Sequence, residues 1–427
     1  MSRSRKNWPA YLAALVAGLM LVACADEETG PQFATDPRPT QSPTEAAASP
    51  SPALLPTTQP VATPASLTDL LGVRGAVSTV FVGSGTDVWS VSIAGEAIPL
   101  YEAPNGSTIR ALDPAPDAQQ VALLLEPDAA EQRTRHVVIV DSAGSVVANT
   151  EIPASLQATP TDRDAEGRET INWSPQGGRV LVQIQSNDVF DIALDGNGAP
   201  TLLDFGGIPG RVIAPAWSPT GQSIAFISES EDEGIRSLNV LDTSSGEMRT
   251  VVMPLAGRLV VDFAWMPDGI SLLFTEGGGP GSAITGIDLW RVDANGENRA
   301  LVTSAGTVAP VARITNLSPS PDGRSVAYAV LVPGSRGPAV DSVWVRNLSS
   351  GVGFRIPLPS VASIQDIWWT DEGLVVSVIS PGTAQGRPPT QALLQVKRDG
   401  SIAGLWAAPL AVDTPPRATP LARSAAT

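Results

Sequence analysis

Trp173-Ser-Pro-Gln-Gly177, Trp217-Ser-Pro-Thr-Gly221, Trp265-Met-Pro-Asp-Gly269 and Ser320-Pro-Asp-Gly323 are copies of one phrase, and Pro114-Ala-Pro-Asp117 and Trp369-Thr-Asp-Glu-Gly373 are looser ones. Proline presets φ and glycine accepts φ > 0, so Pro-x-Gly is a tight turn in mechanism. Each copy is followed by an apolar run such as Ser223-Ile-Ala-Phe-Ile227 or Ser325-Val-Ala-Tyr-Ala-Val330. The phrase therefore joins two antiparallel strands, A and B.

A second turn completes each unit: Ala94-Gly95, Ala143-Gly144, Asn197-Gly198, Ser245-Gly246, Asn295-Gly296, Ser350-Gly351 and Asp399-Gly400. These turns separate apolar runs such as Val137-Val-Ile-Val140 and Asp288-Leu-Trp-Arg-Val292, and so join strands C and D. Their glycines are spaced by 49, 54, 48, 50, 55 and 49 residues. Four strands in a unit of that length predict an all-β propeller. The first unit, from Val77 to Glu102, has strands B, C and D but no A, while the last has all four, from Ile367 to Trp406. Seven blades are expected, with six as the alternative. The missing inner strand would come from near Val73 or from the C-terminal segment, and its pairing would close the ring.

Trp-Ser-Pro-x-Gly, an apolar B strand and the pairs Val88-Trp89, Leu289-Trp290 and Val343-Trp344 resemble TolB-type propeller repeats. Similar repeats occur in prolyl oligopeptidase-like enzymes and in bacterial lipoproteins such as LpqB. The resemblance covers residues 77–409, and the propeller is expected over 73–409. It implies a protein-binding ring, of six blades in the TolB type. A counterpart of the extra N-terminal domain of TolB or LpqB is not expected in this chain.

The N-terminus reads as an address. Arg3, Arg5 and Lys6 precede the apolar run Tyr11 to Val22, which ends in Leu21-Val22-Ala23-Cys24. This resembles a bacterial lipobox, and implies a signal peptide over 1–23 and a Cys24 carrying palmitate-type acyl chains, which anchor stably when there are two or more. An ordinary secretory signal is the plainer alternative. Cleavage removes three cations and no acid, moving the net charge from −16 to −19. Residues 24–66 hold prolines at 31, 37, 39, 43, 50, 52, 56, 60 and 64 with no apolar period, which predicts a disordered tether. Residues 410–427, with Pro415, Pro416 and Pro420, are expected to be a disordered tail.

Composition removes several chemistries. The chain has 427 residues, 27 Lys+Arg against 43 Asp+Glu, one cysteine and one histidine. The acidic balance argues against nucleic acid, and the counts exclude disulfides within the chain and Cys/His zinc sites. His136 opens a C strand, and no Gly-x-Ser-x-Gly elbow occurs, so the hydrolase half of the oligopeptidase architecture is absent. The run Gly277–Gly281 lacks nucleotide-binding spacing, and Asp195-Gly-Asn197 and Asp293-Ala-Asn295 read as hairpin turns rather than calcium loops. No catalytic, cofactor or metal residue is assigned.

The long connections gather on the face opposite the tight turns: B–C loops 126–135, 228–236, 275–287, 331–341 and 380–391, and D–A loop 153–170. Long loops on one rim mark a binding face. Loops 126–135, 153–170 and 228–236 hold eleven acids, among them Glu229, Glu231, Asp232 and Glu233, against five arginines. A cationic partner or calcium would suit such a rim, and a solvated acidic surface is the plainer reading. The expectation is a non-catalytic, lipid-anchored extracytoplasmic propeller that holds an envelope protein. The alternatives are a carbohydrate- or peptidoglycan-binding propeller, favoured by exposed tryptophan, and a lyase or hydrolase using carboxylates.

Overall fold

The computed structural model describes residues 66–71, 78–104, 106–127, 134–152, 169–185, 188–194, 199–205, 210–230, 234–278, 285–307, 312–332, 340–358, 363–380, 389–409 and 417–419. Cys24, the signal peptide and nearly all of the tether lie outside them. Ser66, the last residue assigned to the tether, instead caps a helix, α1 (Leu67–Leu71), by accepting a hydrogen bond from Asp69 N.

Seven four-stranded antiparallel sheets form the propeller. Blade 1 contains β1 (Thr79–Ser84), β2 (Asp87–Ser92) and β3 (Ala97–Glu102). Blade 2 is β4 (Ser107–Pro114), β5 (Gln120–Pro127), β6 (Arg135–Asp141) and β7 (Val146–Ile152). Blade 3 is β8 (Thr170–Trp173), β9 (Arg179–Gln185), β10 (Asp188–Ala193) and β11 (Thr201–Leu202). Blade 4 is β12 (Arg211–Trp217), β13 (Ser223–Glu229), β14 (Arg236–Asp242) and β15 (Met248–Val252). Blade 5 is β16 (Arg258–Trp265), β17 (Ser271–Gly278), β18 (Thr285–Asp293) and β19 (Ala300–Ser304). Blade 6 is β20 (Arg313–Pro319), β21 (Ser325–Val332), β22 (Val340–Asn347) and β23 (Gly353–Pro357). Blade 7 is β24 (Ser363–Thr370), β25 (Gly373–Ser380), β26 (Thr390–Lys397) and β27 (Ile402–Pro409).

The strand missing from blade 1 is β28 (Arg417–Thr419), which pairs antiparallel with β1 through Phe81↔Thr419, Val82↔Ala418 and Gly83↔Arg417. The segment 410–427 is thus not tail throughout. Three of its residues complete the inner edge of blade 1, where unpaired N–H and C=O groups would otherwise be left. Pro416 and Pro420 flank them, and proline's missing donor keeps the strand short.

The core lies between blades rather than within one. Phe190, Phe226 and Phe274, on β10, β13 and β17, are all fully buried, each contributing roughly 2–3 kcal/mol by area. Trp173 joins blades 2 and 3 in one cluster, Trp265 joins blades 4 and 5, and Trp369 joins blades 6 and 7. Trp265 Nε1 donates to Ala216 O of the preceding blade (3.3 Å), and Trp369 Nε1 donates to Ser318 O (2.9 Å). The phrase tryptophans are interblade packing, as expected. Leu70 and Leu71 of α1 enter the cluster between blades 6 and 7.

Polar contacts tie the inner strands together at the seams between blades 2 and 3, 3 and 4, and 6 and 7. Asp113 Oδ2 accepts from Trp173 N (2.7 Å), Asn172 Nδ2 donates to Pro215 O (3.0 Å), and Asn316 Nδ2 donates to Gln365 O. Register shifts in β4, β12, β16, β20 and β24 against their neighbours mark bulges in these inner strands. A bulge re-aims a side chain out of the sheet, and at Asn316 of β20 it turns the amide across to Gln365 of the next blade.

Candidate functional site

In an up-and-down blade the start of A, the end of B and the start of C meet on the face of the B–C and D–A connections. Blades 2, 4 and 5 each place arginine and carboxylate there. In blade 2, Arg110 Nε lies 2.9 Å from Glu126 Oε2 and 2.7 Å from Glu169 Oε2, which precedes blade 3. Arg135 Nη2 lies 2.6 Å from Glu126 Oε1 and 2.9 Å from Glu169 Oε1, closing a ring of two guanidiniums and two carboxylates. Burial lowers the Arg110 pKa, but the hydrogen bond to Glu169 and the charges of Glu169 and Glu126 outweigh it and lift the value above the usual guanidinium range.

Blade 4 repeats the arrangement. Glu229, ending β13, pairs with Arg211 at the start of β12 and with Arg236 Nε (3.0 Å) at the start of β14. In blade 5 Arg258 Nη2 donates to Asp288 Oδ2 (3.0 Å) and to Glu276 O (2.8 Å), while Ser304 Oγ donates to Asp288 Oδ1 (2.6 Å). Glu276 is fully buried, and Arg299 reaches it across the faces of Trp290 and Phe274, 4.5 and 5.2 Å from their centroids. Between these two clusters run Met253 and Leu255, on the D–A connection from β15 to β16, 63% and 70% exposed.

The acidic rim read from the sequence is therefore different where it is described. Glu126, Glu169 and Glu229 are each held by arginines, so they are not open carboxylates awaiting a cation. Glu231, Asp232, Glu233, most of loops 126–135, 153–170, 331–341 and 380–391, and the middle of 275–287 lie outside the described residues. Arg110, Arg211 and Arg258 were missed because they sit in strands, not loops. A signal existed: Arg211, Arg258 and Arg313 stand ten, eleven and ten residues before the turn glycines Gly221, Gly269 and Gly323.

His136 Nδ1 faces Asn149 Oδ1 at 3.1 Å, within the outer half of blade 2. Asp293 behaves as a hairpin residue, its carbonyl accepting from Gly296 N (2.8 Å). Among the described residues no three of His, Cys, Asp and Glu gather as metal ligands, and every described tryptophan is buried or half-buried.

These features define a seven-bladed β-propeller with a charge-paired, partly apolar rim. Solved structures of similar fold include an oligogalacturonate lyase in complex with manganese, 11% identical over 78% of this chain and 85% of that one, with a TM-score of 0.50. TolB propellers are also among them. That of Acinetobacter baumannii is 14% identical over 73% of this chain and 68% of its own, with a TM-score of 0.44. A putative TolB from Agrobacterium tumefaciens is 20% identical over 56% and 80%, with a TM-score of 0.41. At these identities the likeness is one of fold. No family model and no curated protein matches the chain.

Proposed function

We propose that this chain is a non-catalytic, lipid-anchored extracytoplasmic propeller that holds an envelope protein on its long-loop rim. Cys24 in its lipobox-like setting supports the anchor, and the Pro-rich stretch after it supports a tether. One observation carries the binding reading: exposed Met253 and Leu255 lie between two prearranged arginine–carboxylate clusters. Arginine and methionine are enriched at protein interfaces, and guanidiniums already fixed by partners lose little side-chain entropy on docking.

The experiment is a mild-detergent pull-down of the lipidated protein from its own membranes, beside the soluble C24A form and a Met253→Asp/Leu255→Asp variant. One protein recovered in near-equal amounts with both the lipidated and soluble forms, and lost with the rim variant, supports the reading. Envelope glycan retained without protein would replace it with a sugar-binding one. Equal membrane residence of wild type and C24A would remove the lipid anchor.

A further inference from the structure

The two faces of blade 7 are unlike. Toward blade 6 it presents Ile364, Ile367, Leu374, Val376, Val378 and Val396, packed with Val343 and Val345 and with Leu70 and Leu71 of α1. Toward blade 1 it presents Trp368, Val375 and Leu393, packed with Val80, Val82 and Val91. Side chains alternate along a strand, so Ser377 lies on the side of Val375 and Gln391 on the side of Leu393. Both are buried, Ser377 at 0% and Gln391 at 1% exposure. Ser377 Oγ, both amide atoms of Gln391 and Trp368 Nε1 make no hydrogen bond to a protein atom.

This polar face borders the seam where the two ends of the propeller chain meet. Blade 1 receives its inner strand from β28, held by three residue pairs, whereas β24 pairs with β25 through seven. Unpartnered buried polar groups penalise the closed state, because water would satisfy them once the seam parted. Among the described residues, none of blade 7's unpartnered buried groups lies on its face toward blade 6, and α1 is bound into that seam.

We propose that the propeller has a built-in opening point between blades 7 and 1, latched by β28, while α1 keeps blades 6 and 7 together. Opening there exposes the inner edge of β1 and the Ser377–Gln391 face of blade 7. Blade 7 moves as a folded unit, since its own four strands stay paired.

Val375 and Val376 make the test internal to one strand. They are neighbours on β25, both 0% exposed, one facing blade 1 and the other blade 6. In the full-length C24A chain, Val375→Cys and Val376→Cys would each be labelled with a small thiol reagent under native conditions. The expected result is labelling at least tenfold faster for Val375→Cys. Equal rates, as unravelling of the whole blade would give, or a faster Val376→Cys would overturn the proposal. A second arm adds Ser377→Ala and Gln391→Leu to Val375→Cys. Labelling is expected to slow several-fold toward the Val376→Cys rate, and an unchanged rate would refute the polar face as the cause.

Discussion

Arg135 Nη2 and Glu169 Oε1 stand 2.9 Å apart, one on the third strand of blade 2 and the other at the threshold of blade 3. The contact crosses a seam, so the rim cluster is also a fastener between blades. Glu169 is 7% exposed and serves two arginines, and Glu126 alone would have to serve both without it. Breaking a buried pair leaves a charge uncompensated, at about 3–5 kcal/mol, but Arg110 and Glu126 are partly solvated and screened. Glu169→Gln is therefore expected to cost about 1–3 kcal/mol in urea unfolding. A double-mutant cycle with Arg110→Gln should give a favourable coupling; additivity would show that the cluster is only a surface pair.

Gly210 sets the approach to the second cluster. Its φ is +114°, and a Cβ there would lie 1.7 Å from the carbonyl oxygen of Glu229. Gly210→Ala combines left-hand strain with a clash against backbone that cannot step aside. A loss of at least about 2 kcal/mol is expected, read as a lowered Tm, because such positions cost more than the entropy alanine saves. Wild-type stability in this variant would mean that β12 enters the blade by another path.

The repeat was legible because its turns are chemical: glycine with φ > 0 stands in the Pro-x-Gly turns at Gly177, Gly221, Gly269 and Gly323, and in the C–D turns at Gly246, Gly296 and Gly351. The closing strand was harder to see. Its alternatives were open, and Arg417-Ala-Thr419 between prolines carries too little apolar pattern to be read as a strand. α1 was missed for a related reason, since five residues cannot show a helical period. The rim failed differently. Composition counts acids wherever they occur, but their pairing with Arg110, Arg211 and Arg258 depends on which strand ends the fold brings together.

Bulge positions offer a stabilising test. Asn316 and Ala214 occupy matching bulges of β20 and β12, with φ of +55° and +51°. Asparagine tolerates that region and alanine does not, at roughly 1–2 kcal/mol per residue. Ala214 is exposed, so Ala214→Gly removes strain without opening a cavity. After the greater unfolded-state freedom of glycine is subtracted, a gain of about 0.5–1 kcal/mol is expected by denaturant unfolding. A loss would mean that the side chain makes a contact that outweighs the strain.

Two turns of the same design differ in charge, which isolates an acid-range effect. In Asp242-Thr-Ser-Ser-Gly246 the carboxylate accepts from the hydroxyls and backbone N–H groups of Ser244 and Ser245. In Asn347-Leu-Ser-Ser-Gly351 the amide oxygen accepts the same set from Ser349 and Ser350. The side-chain hydrogen bond from Ser244, then the backbone bonds of Ser245 and Ser244, hold the Asp242 pKa down at about 2, against an ordinary 3.8. A depressed carboxyl contributes stability that is fully present above its unfolded value and is lost as pH falls through its folded one. Asp242→Asn should keep the turn, as Asn347 does, and lose that dependence. The stability difference between wild type and the variant is therefore expected to be constant above about pH 5 and to shrink in favour of the variant between about pH 4 and 2. Urea unfolding at several pH values measures it, and a difference unchanged across that range would contradict the assignment of Asp242 as the group responsible.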